Sequence, residues 1–350
     1  MHRRCSHDEL LEALARLPGL IPVDMDAGRG SLMWQDVGAF HAYEGFFAAS
    51  LAMLAGLQRR RSETSHLERF ETDIEVLDSA EVLTEFISPT AFIFHAGRCG
   101  STALSKSLAR SRAHMVFGEA HPHNEIWQSI AEVWRYGPGV RESARRRYEH
   151  LILAMGRRRV RTHRAHFVKF TSYNILLLDF IRSVFPATPA LFLYRNPTAI
   201  ETSLRRRPAP WASRRATLFG AFVAGTDVVE SAAMEDSTYC RRALTRFFTA
   251  ALGAAGPGLH LLDHAHLNQA NLPAIVEALG VTVAADDLAL MQSQLRYDAK
   301  QEHRLQDFHP GQESERPAPA SRSTGDDIRT LYQRLCASEF NLLRGGGQNP

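Results

Sequence analysis

A short glycine-containing segment has the residue types of a loop that binds an anion through backbone N–H groups. Its two glycines permit a tight turn and a close approach of the backbone to a ligand. Its hydroxyls and its arginine add hydrogen-bond donors and a permanent positive charge. A helix that begins at the serine would add the unsatisfied N–H groups of its first turn. We predict that six consecutive residues contact a phosphate or sulfate group: Gly97, Arg98, Cys99, Gly100, Ser101 and Thr102.

The loop lacks the pattern of a Walker A motif, which requires a Gly-Lys pair followed by Ser or Thr. Ser101 directly follows Gly100, and Lys106 lies more than one helical turn further along. We also find no apolar run that ends in an Asp able to hold Mg²⁺ beside a triphosphate. These features weaken an interpretation as a kinase or NTPase, which stays open as an alternative. Taken alone, the loop is also compatible with an ordinary turn between a strand and a helix.

A second candidate anion contact follows the apolar run at residues 190–194. Arg195 would lie at the carboxyl end of that strand, where open α/β sheets bind their ligands. Pro197 favours the first position of a new helix. On such a helix Ser203, eight residues after Arg195, would reach the same anion as the arginine.

Together the two segments resemble the sulfotransferase family that uses 3′-phosphoadenylyl sulfate (PAPS), and its bacterial members most closely. In that family a loop of the form [Lys/Arg]-x-Gly-[Ser/Thr]-Thr binds the 5′-phosphosulfate, and an Arg with a Ser eight residues later holds the 3′-phosphate. The resemblance covers about residues 88–300. It implies PAPS as co-substrate without a metal, and transfer of the sulfuryl group to a hydroxyl or amine of a small-molecule or glycan-type acceptor. The matching positions are Arg98, Gly100, Ser101, Thr102, Arg195 and Ser203.

The resemblance also implies the residues that act on the transferring group. Some family branches carry a Glu just after the second strand, and Glu119 occupies that place, so Glu119 is the first candidate for the general base. Another branch has a His two residues after a strand-end Lys; here Lys169 is present, but Thr171 stands where the His would be. Lys169 is a candidate to stabilise the transferring group, or it is a solvated lysine at a strand edge. Arg98 is expected to act on the leaving 5′-phosphate.

Two histidines and a glutamate follow Glu119 closely. His121 and His123 are further candidates for the base or for contact with the substrate. With Glu125 they suggest a metal site, but the sequence offers no distant set of ligands. We therefore expect a loop that lines the substrate or faces solvent, and no metal.

Short apolar runs alternate with helical patterns through most of the chain. This alternation predicts a three-layer α/β/α domain with a central parallel sheet, as in P-loop NTPases. Predicted strands are 91–95, 115–118, 167–170, 190–194 and 259–262, and predicted helices are about 101–112, 124–135, 142–157, 172–184, 198–206 and 238–254.

The ends of the chain are predicted separately. Helical spacing at residues 7–17 and 40–58 indicates a helical extension over residues 1–88, ahead of a sulfotransferase-like domain at 89–350. A last helix is expected at 326–343, with Ser323 or Thr324 as its N-cap. The polar stretch before it, with the basic residues Arg296, Lys300 and Arg304, is a candidate to close over the nucleotide.

The composition is that of a globular protein, with 45% hydrophobic and 23% charged residues and a net charge of +3. Four cysteines without paired spacing argue against disulfides or a cysteine zinc site. No hydrophobic run follows the first Met, so we expect a cytoplasmic enzyme without a membrane anchor. The arginines are clustered, which indicates either solvated surfaces or a field that attracts an anionic nucleotide. We find no nucleic-acid-binding module, and a non-catalytic module that binds a nucleotide or a partner stays a third alternative.

Overall fold

The computed structural model describes residues 3–60, 68–133, 138–297 and 327–343. The strands in this part of the chain are β1 Arg3–Arg4, β2 Leu20–Asp26, β3 Ser31–Asp36, β4 Arg69–Asp73, β5 Ala91–His95, β6 His114–Gly118, β7 Ala165–Lys169, β8 Ala190–Tyr194 and β9 Leu259–Asp263.

Helices follow or precede most of these strands. They are α1 His7–Arg16, α2 Phe47–Arg60, α3 Ser101–Leu108, α4 His121–Val133, α5 Pro138–Met155, α6 Leu178–Val184, α7 Pro197–Arg206, α8 Leu218–Ala224, α9 Val228–Ala233, α10 Asp236–Ala254, α11 Leu272–Ala278, α12 Ala285–Gln294 and α13 Ile328–Ala337. Short 3₁₀ helices occur at Ile74–Asp78, Ala80–Val82, Ser172–Leu177, Pro210–Arg214 and His264–His266.

A five-stranded parallel sheet in the order β6-β7-β5-β8-β9 confirms the predicted α/β class. Its first strand in the chain, β5, lies in the centre. All residues of β5, β6, β7 and β8 are buried. Strands that are buried on both faces need helices on both sides of the sheet, which explains their continuous apolar sequences.

Contacts between Cα atoms divide the chain into two compact units. Unit 1 consists of Met1–Thr90 and Leu108–Phe170, and unit 2 of Ala91–Ser107 and Thr171–Pro350. The predicted division into an extension at 1–88 and a domain at 89–350 stays a prediction.

Unit 1 contains a second sheet with the order β1-β4-β3-β2. The N-terminal extension was predicted to be helical; its two helices are present as α1 and α2, and this sheet accompanies them. Strands β2 and β3 are antiparallel, with a shift of register between Pro22 and Asp24. Trp34 of β3 is fully buried and donates a hydrogen bond from Nε1 to Thr72 Oγ1 at 3.1 Å. The sheet of the extension therefore contributes to the core of unit 1, which also includes residues 108–170.

Unit 2 is organised around the long helix α10. Tyr239, Leu244 and Phe247 of this helix are fully buried. Trp211 packs edge-on against Phe247 and donates from its indole N–H to Ser172 Oγ at 3.0 Å. These contacts fix the turn that follows residue 171.

The predicted elements of the main domain are present with shifts of a few residues. The second and third strands begin at His114 and Ala165, slightly earlier than predicted. The predicted helix at 172–184 starts as a 3₁₀ turn, Ser172–Leu177, before α6. Helix α13 has Asp327 as its N-cap, whereas the predicted caps Ser323 and Thr324 lie outside the described residues. None of the helices in the described ranges is long and apolar enough to span a membrane.

Candidate functional site

The loop between β5 and α3 in unit 2 has the backbone conformation of a tight turn around a ligand. Gly97, Arg98 and Gly100 all have positive φ angles, of 85°, 52° and 86°. The backbone N–H of Gly97 donates to His95 Nδ1 at 2.9 Å. Helix α3 begins directly after Gly100, so its first N–H groups lie at the predicted anion site.

Side chains of unit 2 fix this loop from several sides. The Sγ of Cys99 is buried and donates to the carbonyl of Leu193 at 3.3 Å, so the side chain of Cys99 anchors the loop to β8. His264 Nδ1 lies 3.2 Å from the carbonyl of Cys99. A Cβ at Gly100 would come within 2.8 Å of His264 Nδ1 and 2.9 Å of Leu267 Cδ2. Glycine is therefore required at position 100 by conformation and by space.

The structure brings the loop together with the predicted contact Arg195. The Arg195 guanidinium donates to the carbonyl of Arg98 at 3.4 Å. The Arg98 guanidinium donates in turn to the carbonyl of Arg207, just beyond α7. Ser203 lies two turns into α7 and is half-buried. Helix α7 starts as predicted at Pro197, with the Asn196 side chain accepting from Thr198 N at 2.9 Å.

Helix α13 and the residues after it form hydrogen bonds with the ends of β8 and β9, the strands that precede Arg195 and His264. Asn341, just after α13, donates to the hydroxyl of Tyr194 at 2.6 Å, next to Arg195. Tyr332 of α13 donates to Asp263 Oδ2 at 2.8 Å, next to His264. Burial and the hydrogen bond to Asp263 raise the pKa of Tyr332, so its hydroxyl stays a donor at neutral pH.

The two predicted catalytic residues of unit 1 form an ion pair. Glu119 follows β6 and Lys169 ends β7, and the parallel register places Gly118 beside Lys169. Lys169 Nζ lies 2.6 Å from Glu119 Oε1. The Lys169 side chain is fully buried, whereas that of Glu119 is 22% exposed. The position of Lys169 excludes the alternative of a solvated lysine at the strand edge.

The N-terminal extension completes the surroundings of Lys169. Its Nζ lies 3.4 Å from the carbonyl of Gly45 and 4.4 Å from the centre of the Phe46 ring. A Cβ at Gly118 would collide with the Gly45 carbonyl, so glycine at the end of β6 admits this backbone segment. Glu119 has a positive φ of 48°, a conformation that is rare for a non-glycine residue and clusters at functional sites.

The two histidines after Glu119 have different surroundings. His121 Nδ1 lies 2.6 Å from Asp24 Oδ1, and its Nε2 is 3.8 Å from Glu125 Oε2. His123 is 1% exposed, and neither ring nitrogen has a hydrogen-bond partner. Burial, with a smaller effect of His166, lowers the pKa of His123 to about 3, so this side chain is neutral at physiological pH. Within the described ranges, no three His, Cys, Asp or Glu side chains are grouped to hold a metal.

Several residues around these groups were not predicted from the sequence. His264 lies just after the predicted strand at 259–262, but nothing in its spacing connects it to Cys99. Gly45 and Phe46 precede α2 and are separated from Lys169 by more than a hundred residues. Of the basic residues expected to close over the nucleotide, Arg296 follows α12, and Lys300 and Arg304 lie outside the described residues.

Comparisons with known proteins give no match to a family model or to a curated protein. Among solved structures, the chain is similar to a sulfotransferase from Alicyclobacillus acidocaldarius, with 18% identity over 61% of this chain and 97% of that one, at a TM-score of 0.35. It is also similar to the sulfotransferase STF1 from Mycobacterium tuberculosis, with 13% identity over 85% of this chain and 96% of that one, at a TM-score of 0.35.

Proposed function

We propose that the protein is a PAPS-dependent sulfotransferase that acts on a hydroxyl or amine of a small-molecule or glycan-type acceptor. The observation that carries the proposal is the contact between Arg195 and the carbonyl of Arg98 in unit 2. It supports a common role for the two segments whose sequences resemble the PAPS-binding segments of the family.

In this proposal the loop binds the 5′ end of the donor. The first N–H groups of α3, the hydroxyls of Ser101 and Thr102, and the Arg98 side chain supply the donors. A Cβ at Gly97 would be in ordinary contact with the Ser172 side chain at 3.9 Å, so glycine is needed there for its positive φ and not for space. Arg195 and Ser203 are assigned to the 3′-phosphate.

Sulfuryl transfer forms a bond between sulfur and the acceptor oxygen or nitrogen and breaks the bond between sulfur and the 5′-phosphate oxygen. The bond electrons leave with adenosine 3′,5′-bisphosphate, and the acceptor proton needs a base. We assign the proton to the Glu119 carboxylate, which the Lys169 ammonium holds in place at 2.6 Å. Lys169 is assigned to stabilise negative charge on the transferring group.

The assignment of Arg195 can be tested with two nucleotides that differ only in the 3′-phosphate. Calorimetric titration with adenosine 3′,5′-bisphosphate and with adenosine 5′-phosphate should show that the 3′-phosphate strengthens binding to the wild type. In Arg195→Met we expect a loss of about 10- to 100-fold for the bisphosphate and little change for the monophosphate. Arg205→Met is the matched control, because Arg205 is an exposed arginine on α7, the helix that follows Arg195. Equal losses for both nucleotides would contradict the assignment.

Two further measurements separate the proposal from its alternatives. Thermal stabilisation by ADP with Mg²⁺, but not by the bisphosphate, would favour a kinase or NTPase. Binding of the bisphosphate without transfer of labelled sulfate from PAPS into any component of a cell extract would favour a non-catalytic module.

The base assignment has its own test once an acceptor is found. Glu119→Gln should lower kcat by about 10²- to 10⁴-fold with an unchanged affinity for the bisphosphate. Full turnover in this variant would assign the base to another residue.

A further inference from the structure

Two loops of unit 1 are basic and contain no acidic residue. The sequence has no Asp or Glu at 101–118 or at 150–178, and these stretches hold seven arginines. The loops precede β6 and β7 and lie against each other: the N–H groups of Arg164 and Ala165 donate to the carbonyl of Ala113 at 2.7 and 3.2 Å. His41 joins them, with Nε2 at 2.6 Å from the carbonyl of Ala109. The arginines are Arg110, Arg112, Arg157, Arg158, Arg159, Arg161 and Arg164.

Two neighbouring arginines in the second loop differ in how their hydrogen-bond donors are paired. Arg157 is buried, and its guanidinium donates to the carbonyls of Leu14, Leu17 and Leu20. Arg159 is half-buried, and its Nε is buried without a hydrogen-bond partner. Burial lowers the pKa of Arg159 to about 10. A buried N–H donor without an acceptor is costly, so the Nε of Arg159 is a place where an anion oxygen would be stabilised.

A buried histidine lies in the same electrostatic environment. His163 is 3% exposed, and its Nδ1 has no hydrogen-bond partner. Burial, Arg159, His41 and Arg158 together lower the pKa of His163 to about 4. The pKa of His41 is likewise lowered by burial and by Arg159, Arg112 and Arg110. The charged groups that shift these two pKa values are therefore positive, and Glu85 lies beside the second loop, where its carbonyl accepts from the N–H of Arg158 at 2.7 Å.

We propose that Arg159 and His163 form a second anion site, which binds a tetrahedral oxyanion such as a phosphate or sulfate group. The planar guanidinium offers paired N–H donors to two oxygens of such a group. His163 supplies an Nδ1 that accepts a proton and donates it to a third oxygen. The surrounding exposed arginines, Arg110, Arg112 and Arg158, favour a dianion over a singly charged carboxylate.

This site is separate from the proposed catalytic pair of unit 1. The basic loops precede β6 and β7, whereas Glu119 and Lys169 lie at the other ends of the same strands. Five residues at about 3.3 Å each place roughly 16 Å between the two ends. The proposal therefore does not depend on the sulfotransferase assignment.

Nuclear magnetic resonance of the histidine rings in the full-length protein tests the site directly. The His163 signal is assigned from its loss in His163→Gln. Sodium phosphate and sodium sulfate are titrated at constant ionic strength, with chloride as the balancing anion. We expect millimolar phosphate or sulfate to shift the His163 signal and to raise the pKa of His163 by one unit or more, because the anion stabilises the imidazolium.

The matched variants are Arg159→Met and Arg161→Met, since Arg161 is exposed in the same loop. Arg161→Met should respond like the wild type, and Arg159→Met should lose the response. Arg159→Lys keeps the positive charge but lacks the paired N–H donors of a planar guanidinium, so it should bind phosphate or sulfate about tenfold more weakly. If Arg159→Met does not fold, this lysine variant carries the comparison. The proposal is wrong if neither phosphate nor sulfate shifts the His163 signal. It is also wrong if chloride or acetate shifts the signal equally, or if the Arg159→Met variant shows the same response to phosphate and sulfate as the wild type.

Two measurements extend the result. Without added anion, Arg159→Met should melt at the same temperature as the wild type or at a higher one, because it removes a buried N–H donor without an acceptor. A clear decrease in the melting temperature would show that Arg159 stabilises the fold by packing and would overturn the proposal. Methyl phosphate and glucose 6-phosphate distinguish the sources of the ligand. Binding of these esters indicates a phosphate group on a larger molecule, and binding of the inorganic ions alone indicates a free ion.

Discussion

Gly97 and Gly100 of the anion loop have nearly the same backbone conformation but different surroundings. Both have φ near 85°. A Cβ at Gly97 would have ordinary contact distances, whereas a Cβ at Gly100 would collide with His264 and Leu267. Substitutions at the two positions can therefore separate two contributions to the free energy of unfolding: the strain of a left-handed backbone conformation and the collision of a side chain with its neighbours.

We expect Gly97→Ala to destabilise the protein by about 1–2 kcal/mol through backbone strain alone. Gly100→Ala should cost more and should weaken the binding of adenosine 3′,5′-bisphosphate at least tenfold, because the loop must move away from His264. Denaturant unfolding and calorimetry measure the two effects. Equal costs for the two variants would show that the contact with His264 does not restrict the loop.

The ion pair between Glu119 and Lys169 is asymmetric, because only Lys169 is fully buried. Glu119→Gln leaves a buried ammonium without its counter-charge and should cost about 3–5 kcal/mol. Lys169→Met leaves a carboxylate that water can reach and should cost less. The double variant should be more stable than the sum of the single effects predicts, which a double-mutant cycle measures. Additive effects would mean that the two charges do not stabilise each other.

At the scale of elements, the Arg157 side chain joins the end of α1 to the beginning of β2. It is 7% exposed and donates to carbonyls of the last turn of α1, of the residue that caps α1, and of Leu20. A cation at a helix C-terminus also interacts favourably with the helix dipole. A single arginine thereby compensates several carbonyls that the helix leaves without partners.

Arg157→Met should therefore destabilise the protein by about 2–4 kcal/mol, since it removes charged hydrogen bonds from buried carbonyls. Arg158→Met is the matched control, because the Arg158 side chain is exposed next to it, and its effect should stay within about 0.5 kcal/mol. The urea concentrations at the midpoints of unfolding compare the stabilities of the two variants when their m-values are equal. Similar midpoints for the two variants would contradict the capping role.

The sequence predicted the parallel sheet better than the N-terminal sheet, for a physical reason. Strands β5 and β8 are buried on both faces and have continuous apolar sequences. Strand β2 contains Pro22 and Asp24 at a shift of register, and β4 is a five-residue strand with charged residues at both ends. These strands depend on pairing between distant parts of the chain, which local periodicity does not reveal.

At the scale of the molecule, the candidate site was predictable in its parts. The loop, Arg195 and the helix with Ser203 were identified because their residue types follow the ends of recognisable strands. The ion pair of Glu119 with Lys169 depends on β6 and β7 being neighbours, and the contact with Phe46 depends on the path of the extension. The two stretches without Asp or Glu, 101–118 and 150–178, are visible in the sequence, but only the structure shows that the loops within them contact each other.

Three buried histidines of unit 1 make the protein sensitive to acid. Burial is the largest cause that lowers the pKa of His123 to about 3 and those of His163 and His166 to about 4. In the unfolded chain these side chains have a pKa near 6.5. Below that value the unfolded state binds more protons than the folded state, so the free energy of unfolding decreases as the pH falls from about 6.5 towards 4.

Each histidine that stays neutral contributes a slope of up to about 1.4 kcal/mol per pH unit in this window. Urea unfolding of the wild type between pH 7 and pH 4.5 should show a steep loss of stability. His123→Leu removes a ring whose two nitrogens have no partner, so this variant should lose stability less steeply, by the contribution of one proton. His121→Leu is the control, because His121 is exposed beside Asp24 and Glu125. This variant should keep the part of the pH dependence of stability that comes from the buried histidines. An equally steep pH dependence in His123→Leu and the wild type would mean that His123 is protonated in the folded protein.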